Sequence, residues 1–262
     1  MTQQKLGKNQ GCYCGETIPI LDLLGQIHEA ALTSGWIAQE FYRTEKFVLR
    51  GYLRLRPDDE GIVYISSGVH GDEPAGPCAM LRLLKENHWP EKMGVILSPC
   101  LNPSGFLANT RTNADGLDLN RDYRHFQSAE VRAHTAWLKT LPPFNLTLLL
   151  HEDWEANGFY LYELNPGQRR SYAEIILKAV REICPIETAE RVDNWEAKDG
   201  IVRPGITPAE RVQWPEAFFL ITNKSPISYT LEAPSDFPIE VRVAALVRAV
   251  HSVLEVFKTN CN

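Results

Sequence analysis

The chain has 262 residues, 44% of them hydrophobic and 23% charged, enough apolar material for one large α/β domain or two small ones. A formal charge of -6 argues against a nucleic-acid binder, and no apolar run approaches the roughly 20 residues that cross a bilayer. The polar start, MTQQKLGKNQGCYCG, lacks the apolar stretch of a secretory signal, so the chain reads as cytoplasmic.

In chain order, IPILDLLGQIHEAALTSG (18–35) has helical apolar spacing that ends at Gly35. IAQEFYR and KFVLRGYLRLR (46–56) alternate as strands and are expected to pair as a hairpin, and GIVYISSGV (61–69) reads as a buried strand. Pro74 opens a helix through PAGPCAMLRLLKENH, and GVILSPCLN (94–102) is the next strand. A long polar loop, PSGFLANTRTNADGLDLNRDYRHF, leads to a helix over SAEVRAHTAWLKTL with Ser128 as its N-cap. NLTLLLHED (145–153) is a strand, followed by FYLYELN, a helix across 168–183 and a Pro/Trp-containing excursion near 190–217. FFLITN and ISYTLEAPS read as strands, and PIEVRVAALVRAVHSVLEVFK as a closing amphipathic helix. Strands alternating with helices imply a largely parallel sheet covered by helices, with sites beyond the carboxyl ends of the strands. No repeat or Gly/Ser linker divides the chain, so residues 1–262 read as one domain with 1–17 a flexible N-terminal segment. The scattered cysteines read as ordinary thiols; Cys12 and Cys14 have chelating spacing but no second pair nearby.

The unusual residues stand at the ends of these strands. His70 and Glu73, three apart after IVYISS, offer two metal ligands from one loop, and His151, closing a later strand, offers a third. Two imidazoles and one carboxylate with a position left for water is a common catalytic zinc set; the competing reading is a pair of hydrogen-bonded rim histidines. Arg111, Asn120 and Arg121 lie in the 102–122 loop, where guanidinium forks recognise a carboxylate or a developing oxyanion. Asp118 is placed to accept the second ring N–H of a ligating histidine, unless it only shapes its own turn. Glu232 ends an apolar strand, where a carboxylate is costly unless it is paired or acts as a general base beside an activated water. His134, on a helix with polar neighbours, reads as a packed or solvated residue. No Gly-x-Gly-x-x-Gly, Walker-type loop or Gly-x-Ser-x-Gly elbow is present.

The order His70-Gly-Asp-Glu73, NPSGF, TRTNADGLDLNRDY, LLLHED and SYTLEAPS, across residues 61–235, resembles the zinc carboxypeptidases, in particular the compact bacterial members that include murein-peptide amidases. The resemblance implies a three-layer α/β/α sandwich around a mixed sheet of about eight strands. It implies one zinc ion on His70, Glu73 and His151, with Glu232 as the catalytic glutamate. Arg111 is implied to polarise the scissile carbonyl, Asn120 and Arg121 to grip the substrate's carboxylate, and Asp118 to stand behind a zinc histidine. The implied substrate is a peptide or amide with a free carboxylate. Digestive members carry a mobile tyrosine roughly twenty residues before the catalytic glutamate; TPAERVQWP (207–215) has none. The aspartoacylase and succinylglutamate desuccinylase group shares the His-x-x-Glu, DLNR and later histidine plan and implies a small N-acyl amino acid instead. A non-catalytic binding protein is the third reading, against which the joint presence of three ligands, Arg111 and Glu232 speaks.

Overall fold

The computed structural model describes residues 5–7, 16–205 and 207–257. Cys12, Cys14 and most of the 1–17 segment lie outside the described residues. The elements run α1 (Ile20–Thr33), β1 (Ile37–Arg43), β2 (Val48–Arg54), β3 (Ile62–Ser67), α2 (Ala75–Glu86), β4 (Gly94–Ser98), α3 (Pro103–Ala108), α4 (Ala129–Thr140), β5 (Leu146–Asp153) and β6 (Tyr160–Leu164). After them come α5 (Ala173–Val180), β7 (Arg191–Val192), β8 (Trp195–Lys198), β9 (Ile201–Val202), α6 (Glu216–Asn223), β10 (Ser228–Pro234) and α7 (Ile239–Phe257).

The strands form one mixed ten-stranded sheet in the order β1-β2-β4-β3-β5-β10-β6-β9-β8-β7. The parallel part is central: β4, β3, β5 and β10 run side by side in one direction. Antiparallel strands complete both flanks, with the β1–β2 hairpin as expected from its alternation. The sheet exceeds the expected eight or so strands because β7, β8 and β9, of two to four residues, fold out of the 190–217 excursion.

Successive side chains on a strand point to opposite faces, and here both faces are covered. Val63 and Ile65 of β3 pack with α1, α2, α5 and α7, whereas Tyr64 between them packs with Val131 and Trp137 of α4 and with Phe219 of α6. That two-sided burial explains the near-continuous apolar runs of the central strands and yields the α/β/α sandwich.

Three readings of the chain are corrected. FFLITN belongs to helix α6, not to a strand. A short, unbroken apolar run suits a buried helix as well as a buried strand; Pro215 sits at the N-cap, and consecutive Phe218, Phe219 and Leu220 are all buried. The helix expected across 168–183 is confined to α5, since Asn165 closes a turn with Arg169 through two hydrogen bonds of 2.7 and 2.9 Å. The 103–126 loop contains helix α3, capped by the Asn102 side chain on Gly105 N–H, and a 3-10 turn over Leu119–Arg121 capped by Asp118.

Two features hold the strand ends in place. Gly71 lies so close to α3 that a Cβ there would fall 2.0 Å from the Gly105 carbonyl carbon, so the 68–73 loop and α3 meet backbone to backbone. Glu152, buried beside His151 on β5, accepts hydrogen bonds from Ala75 N–H at 2.5 Å and Ser235 Oγ at 3.2 Å. It also pairs with Arg242 of α7, which is fully buried and pairs in turn with Glu16. Removing one partner of a buried ion pair leaves an uncompensated charge. Arg242→Ala is therefore expected to lower unfolding free energy by about 3–5 kcal/mol, read from urea denaturation.

Candidate metal centre and cleft

β3 and β5 are adjacent and parallel, so the loop after β3 and the last residues of β5 emerge together. His70 and Glu73 come from that loop and His151 from β5, and all three are buried. His70 Nδ1 lies 2.5 Å from Glu73 Oε1, and His151 Nδ1 lies 2.9 Å from Glu73 Oε2. The two rings sit edge to face with centroids 5.1 Å apart. One ligand atom from each residue falls within 4.8 Å of the others. Two ring nitrogens and a carboxylate converging on one buried point fit a divalent cation with nitrogen and oxygen preferences. The electrostatics agree: burial opposes a charge on Glu73, but the two histidines outweigh it and hold the carboxyl far below its usual range. Burial likewise pulls His70 down, while Glu73 and Asp118 together raise it.

Asp118 stands where the sequence placed it. Its Oδ1 lies 3.3 Å from His70 Nε2, and its Oδ2 accepts from Arg111 Nε at 3.0 Å. Despite burial, His70 and Arg111 keep the Asp118 carboxyl well below the ordinary carboxylate range. Arg111 also reaches Glu73, with Nη1 3.5 Å from Oε1, so its guanidinium borders the three convergent groups.

Glu232 reaches the same place through strand register. On β10 it is the direct cross-strand neighbour of His151 on β5, so the two side chains share a face. Burial, reinforced by the charges of Glu73 and Asp153 against those of His151 and Arg111, pushes its carboxyl up to about 8. A carboxyl in that range can both take and return a proton near neutral pH.

His70, Glu73, His151, Arg111 and Glu232 line one cleft of about 370 Å³ together with Asn120, Arg121, Trp154, Tyr160 and Arg211. Asn120 Oδ1 accepts from Glu216 N–H at 2.8 Å, which leaves the amide NH2 as the donor on the cleft side. Arg121 bonds its own turn through Nη1 and the Asn120 carbonyl at 3.0 Å. The sequence reading brought Glu232, Arg111, Asn120, Arg121, Asp118, His70, Glu73 and His151 together; seven of them line this cleft, and Asp118 stands behind His70 and Arg111.

It missed the groups behind them. Glu216 is buried and accepts from Tyr64 OH at 3.0 Å and Ser66 Oγ at 2.9 Å. Tyr64 OH also meets His134 Nε2 at 2.9 Å, and Tyr123 OH meets His134 Nδ1 at 2.8 Å. His134 is thus packed, as one of the readings had it, but inside a buried polar chain that ends on Asn120. The signal for Glu216 was present: a lone acid in WPEAFFL breaks an apolar run as Glu232 does. The cleft's outer wall was also missed, where Tyr160 OH donates to Asp153 at 2.9 Å and Tyr162 OH to Asp193 at 2.7 Å.

With this geometry in view, the comparisons with known proteins fall into place. Residues 60–181, a little under half of the chain, match the succinylglutamate desuccinylase/aspartoacylase catalytic domain. Carboxypeptidase 2 of Trichophyton rubrum is 36% identical over 127 residues, covering 41% of this chain and 24% of the relative. Carboxypeptidase SOL1 of Arabidopsis thaliana is 31% identical over 104 residues, covering 32% of this chain and 21% of the relative. The chain thus spans about a quarter or less of these relatives' length. A Shewanella denitrificans protein provisionally named a metallopeptidase superposes with a TM-score of 0.78 at 23% identity, covering 96% of this chain and 97% of its own. A metallo-carboxypeptidase of Pseudomonas aeruginosa superposes at 0.68 with 19% identity, covering 89% of this chain and 68% of its own. The fold is therefore that of the metallo-carboxypeptidases. The zinc carboxypeptidase resemblance read from the motifs is borne out.

Two outcomes follow. Asp118→Asn, which weakens the acceptor beside His70, is expected to lower zinc affinity about 10–100-fold, measured by competition with a chelating dye. His134 is pushed down to about 3 by burial, so its neutral form is the one that folds. The stability this contributes is present above the ordinary histidine value of 6.5 and is lost as pH falls toward about 3. His134→Gln, which does not titrate, is expected to flatten that acid limb in urea melts taken across the window.

Proposed function

We propose that the protein is a zinc-dependent hydrolase of the metallocarboxypeptidase type, cleaving a peptide or amide bond next to a free carboxylate. The observation that carries this reading is the convergence of both Nδ1 atoms on Glu73 with Glu232 in register beside His151. His70, Glu73 and His151 would hold the ion, which supplies a Lewis acid able to make water nucleophilic near neutral pH.

The chain's own residues account for the remaining steps. Asn120 and Arg121 bind the substrate's terminal carboxylate, the arginine through its planar fork and the asparagine through its free NH2. That contact places the adjacent bond over the buried centre and makes internal peptide bonds poor substrates. Glu232 takes a proton from the attacking water as its oxygen bonds to the carbonyl carbon. It then delivers that proton to the amine as the C–N bond breaks. Arg111, already bordering Glu73, donates to the oxygen on which negative charge develops. Asp118 orients His70, and Glu216 holds Asn120 from behind.

A second reading, a deacylase of small N-acyl amino acids, is favoured by the match of residues 60–181 to the desuccinylase/aspartoacylase domain. Both readings use the same centre and differ in what fills the outer cleft. The outer cleft carries Trp154, Tyr160, Tyr162 and Trp195, ring faces on which the side chains of a peptide can pack, which favours a peptide.

The deciding assay compares a blocked dipeptide, its C-terminal amide, and N-acyl aspartate and glutamate at equal concentration. Cleavage of the free-acid dipeptide, with the amide at least tenfold slower by the arithmetic of a lost charged hydrogen bond worth about 1.5–3 kcal/mol, is the expected result. Preferential turnover of the N-acyl amino acids would assign the protein to the deacylase reading. Glu232→Gln is expected to keep zinc content and fold while lowering kcat about 10²–10⁴-fold, as loss of a general base does.

A further inference from the structure

Far from the cleft, the last turn of α2 and the middle of α7 bring together a second set of ligand-type side chains. Glu86 closes α2, and Asn87 then turns the chain through the left-handed region at φ 50°. The turn carries His88 over α7, where its ring centroid lies 6.1 Å from that of His251. His251 Nε2 is 2.9 Å from Glu86 Oε2, and one ligand atom from each of Glu86, His88 and His251 lies within 4.8 Å of the others.

We propose that Glu86, His88 and His251 form a second divalent-metal site, separate from the cleft and of the imidazole–carboxylate type that zinc accepts. The site does not depend on the catalytic reading. Tetrahedral zinc with bonds of about 2.0–2.1 Å brings ligand atoms to about 3.3 Å from one another. Glu86 and His251 are already closer than that, and His88 is exposed, so its ring can swing in without disturbing the core. Glu86 is paired with both Arg82, at 2.7 Å, and His251. Arg82 Nε occupies Oε1 at 2.7 Å and leaves Oε2 for the ion. The guanidinium charge also weakens the site, which makes Arg82 a useful control.

α2 begins two residues after Glu73 and runs twelve residues to Glu86, so the two centres stand about 18 Å apart along the helix. An ion at the far end touches no substrate. It would tie the end of α2 to α7, the helix whose Arg242 anchors Glu152 behind His151.

The test is equilibrium dialysis of the full chain against micromolar zinc, with thermal melting as a second readout. The native chain is expected to bind two ions, and His70→Ala to lose only the cleft ion. His88→Ala and His251→Ala should each lose the other ion and the rise in melting temperature that accompanies it, with hydrolysis unchanged. Arg82→Ala should bind this second ion several-fold more tightly. His88 is exposed, so its variant tests the site without risk to folding. Zinc stoichiometry and melting that neither His88→Ala nor His251→Ala lowers would overturn the proposal, whatever His70→Ala does.

Discussion

The cost of burying carboxylates at the ends of the central strands governs this molecule. Glu73, Glu152, Glu216 and Glu232 all lie below a tenth exposed in one region, where an isolated charge would be driven to neutrality. Each meets that cost differently. Glu152 is matched by a buried arginine and a backbone N–H. Glu73 faces two imidazole nitrogens and stays ionised. Glu216 accepts from two hydroxyls, and burial pushes it up to about 7. Glu232 has no such hydroxyl donor among the described residues, and burial pushes its carboxyl up to about 8. One desolvated region thus contains a structural anchor, an ionised ligand-type carboxylate and a carboxyl poised to exchange its proton.

Parallel pairing is what concentrates these groups. Adjacent parallel strands end on the same side, so β3, β5 and β10 deliver His70, His151 and Glu232 to one edge although they are separated by up to 162 positions. The antiparallel β6 then brings Tyr160 back beside Glu232, so the strand that flanks the parallel core also walls the cleft. A one-residue slip of β10 against β5 would turn Glu232 to the opposite face, among the residues that pack on α7. The apolar residues Leu231 and Ala233 on that face make such a slip expensive. Packing energy, spread over the strand, therefore fixes the position of its single acid.

This division explains what could be read from the chain. His70, Glu73, His151 and Glu232 were legible because each interrupts or ends an apolar run, where a polar side chain must have a partner or a task. The sandwich was legible from alternation of apolar runs with helical periodicity. FFLITN was not, because burial on every side erases the period that separates helix from strand. The Tyr64–His134–Tyr123 cluster was also hidden. Tyr64 looks like one more apolar residue of β3, and its hydroxyl finds His134 only when α4 lies across the sheet, 70 positions later in the chain. Long-range side-chain partners of that kind leave no local mark.

The absence of a tyrosine in 207–215 acquires a structural counterpart in the cleft's rim. The segment is pinned from both sides: Arg124 donates to the Arg211 carbonyl, His125 Nε2 lies 2.9 Å from the Val212 carbonyl, and Tyr123 N–H donates to the Trp214 carbonyl at 3.2 Å. Trp214 Nε1 closes the segment on itself through the Pro208 carbonyl at 2.7 Å. The rim is thereby tied to the same stretch that carries Asn120 and Arg121. Arg211, set 5.6 Å over the Phe218 ring, adds a third guanidinium to the cleft after those of Arg111 and Arg121. This stretch thus sets a cation in a wall held by hydrogen bonds on both sides. Trp154, Tyr160 and Trp195 line the same cleft, so whatever enters it meets guanidinium groups and ring faces together, a pairing that suits a ligand carrying both an anionic group and apolar bulk.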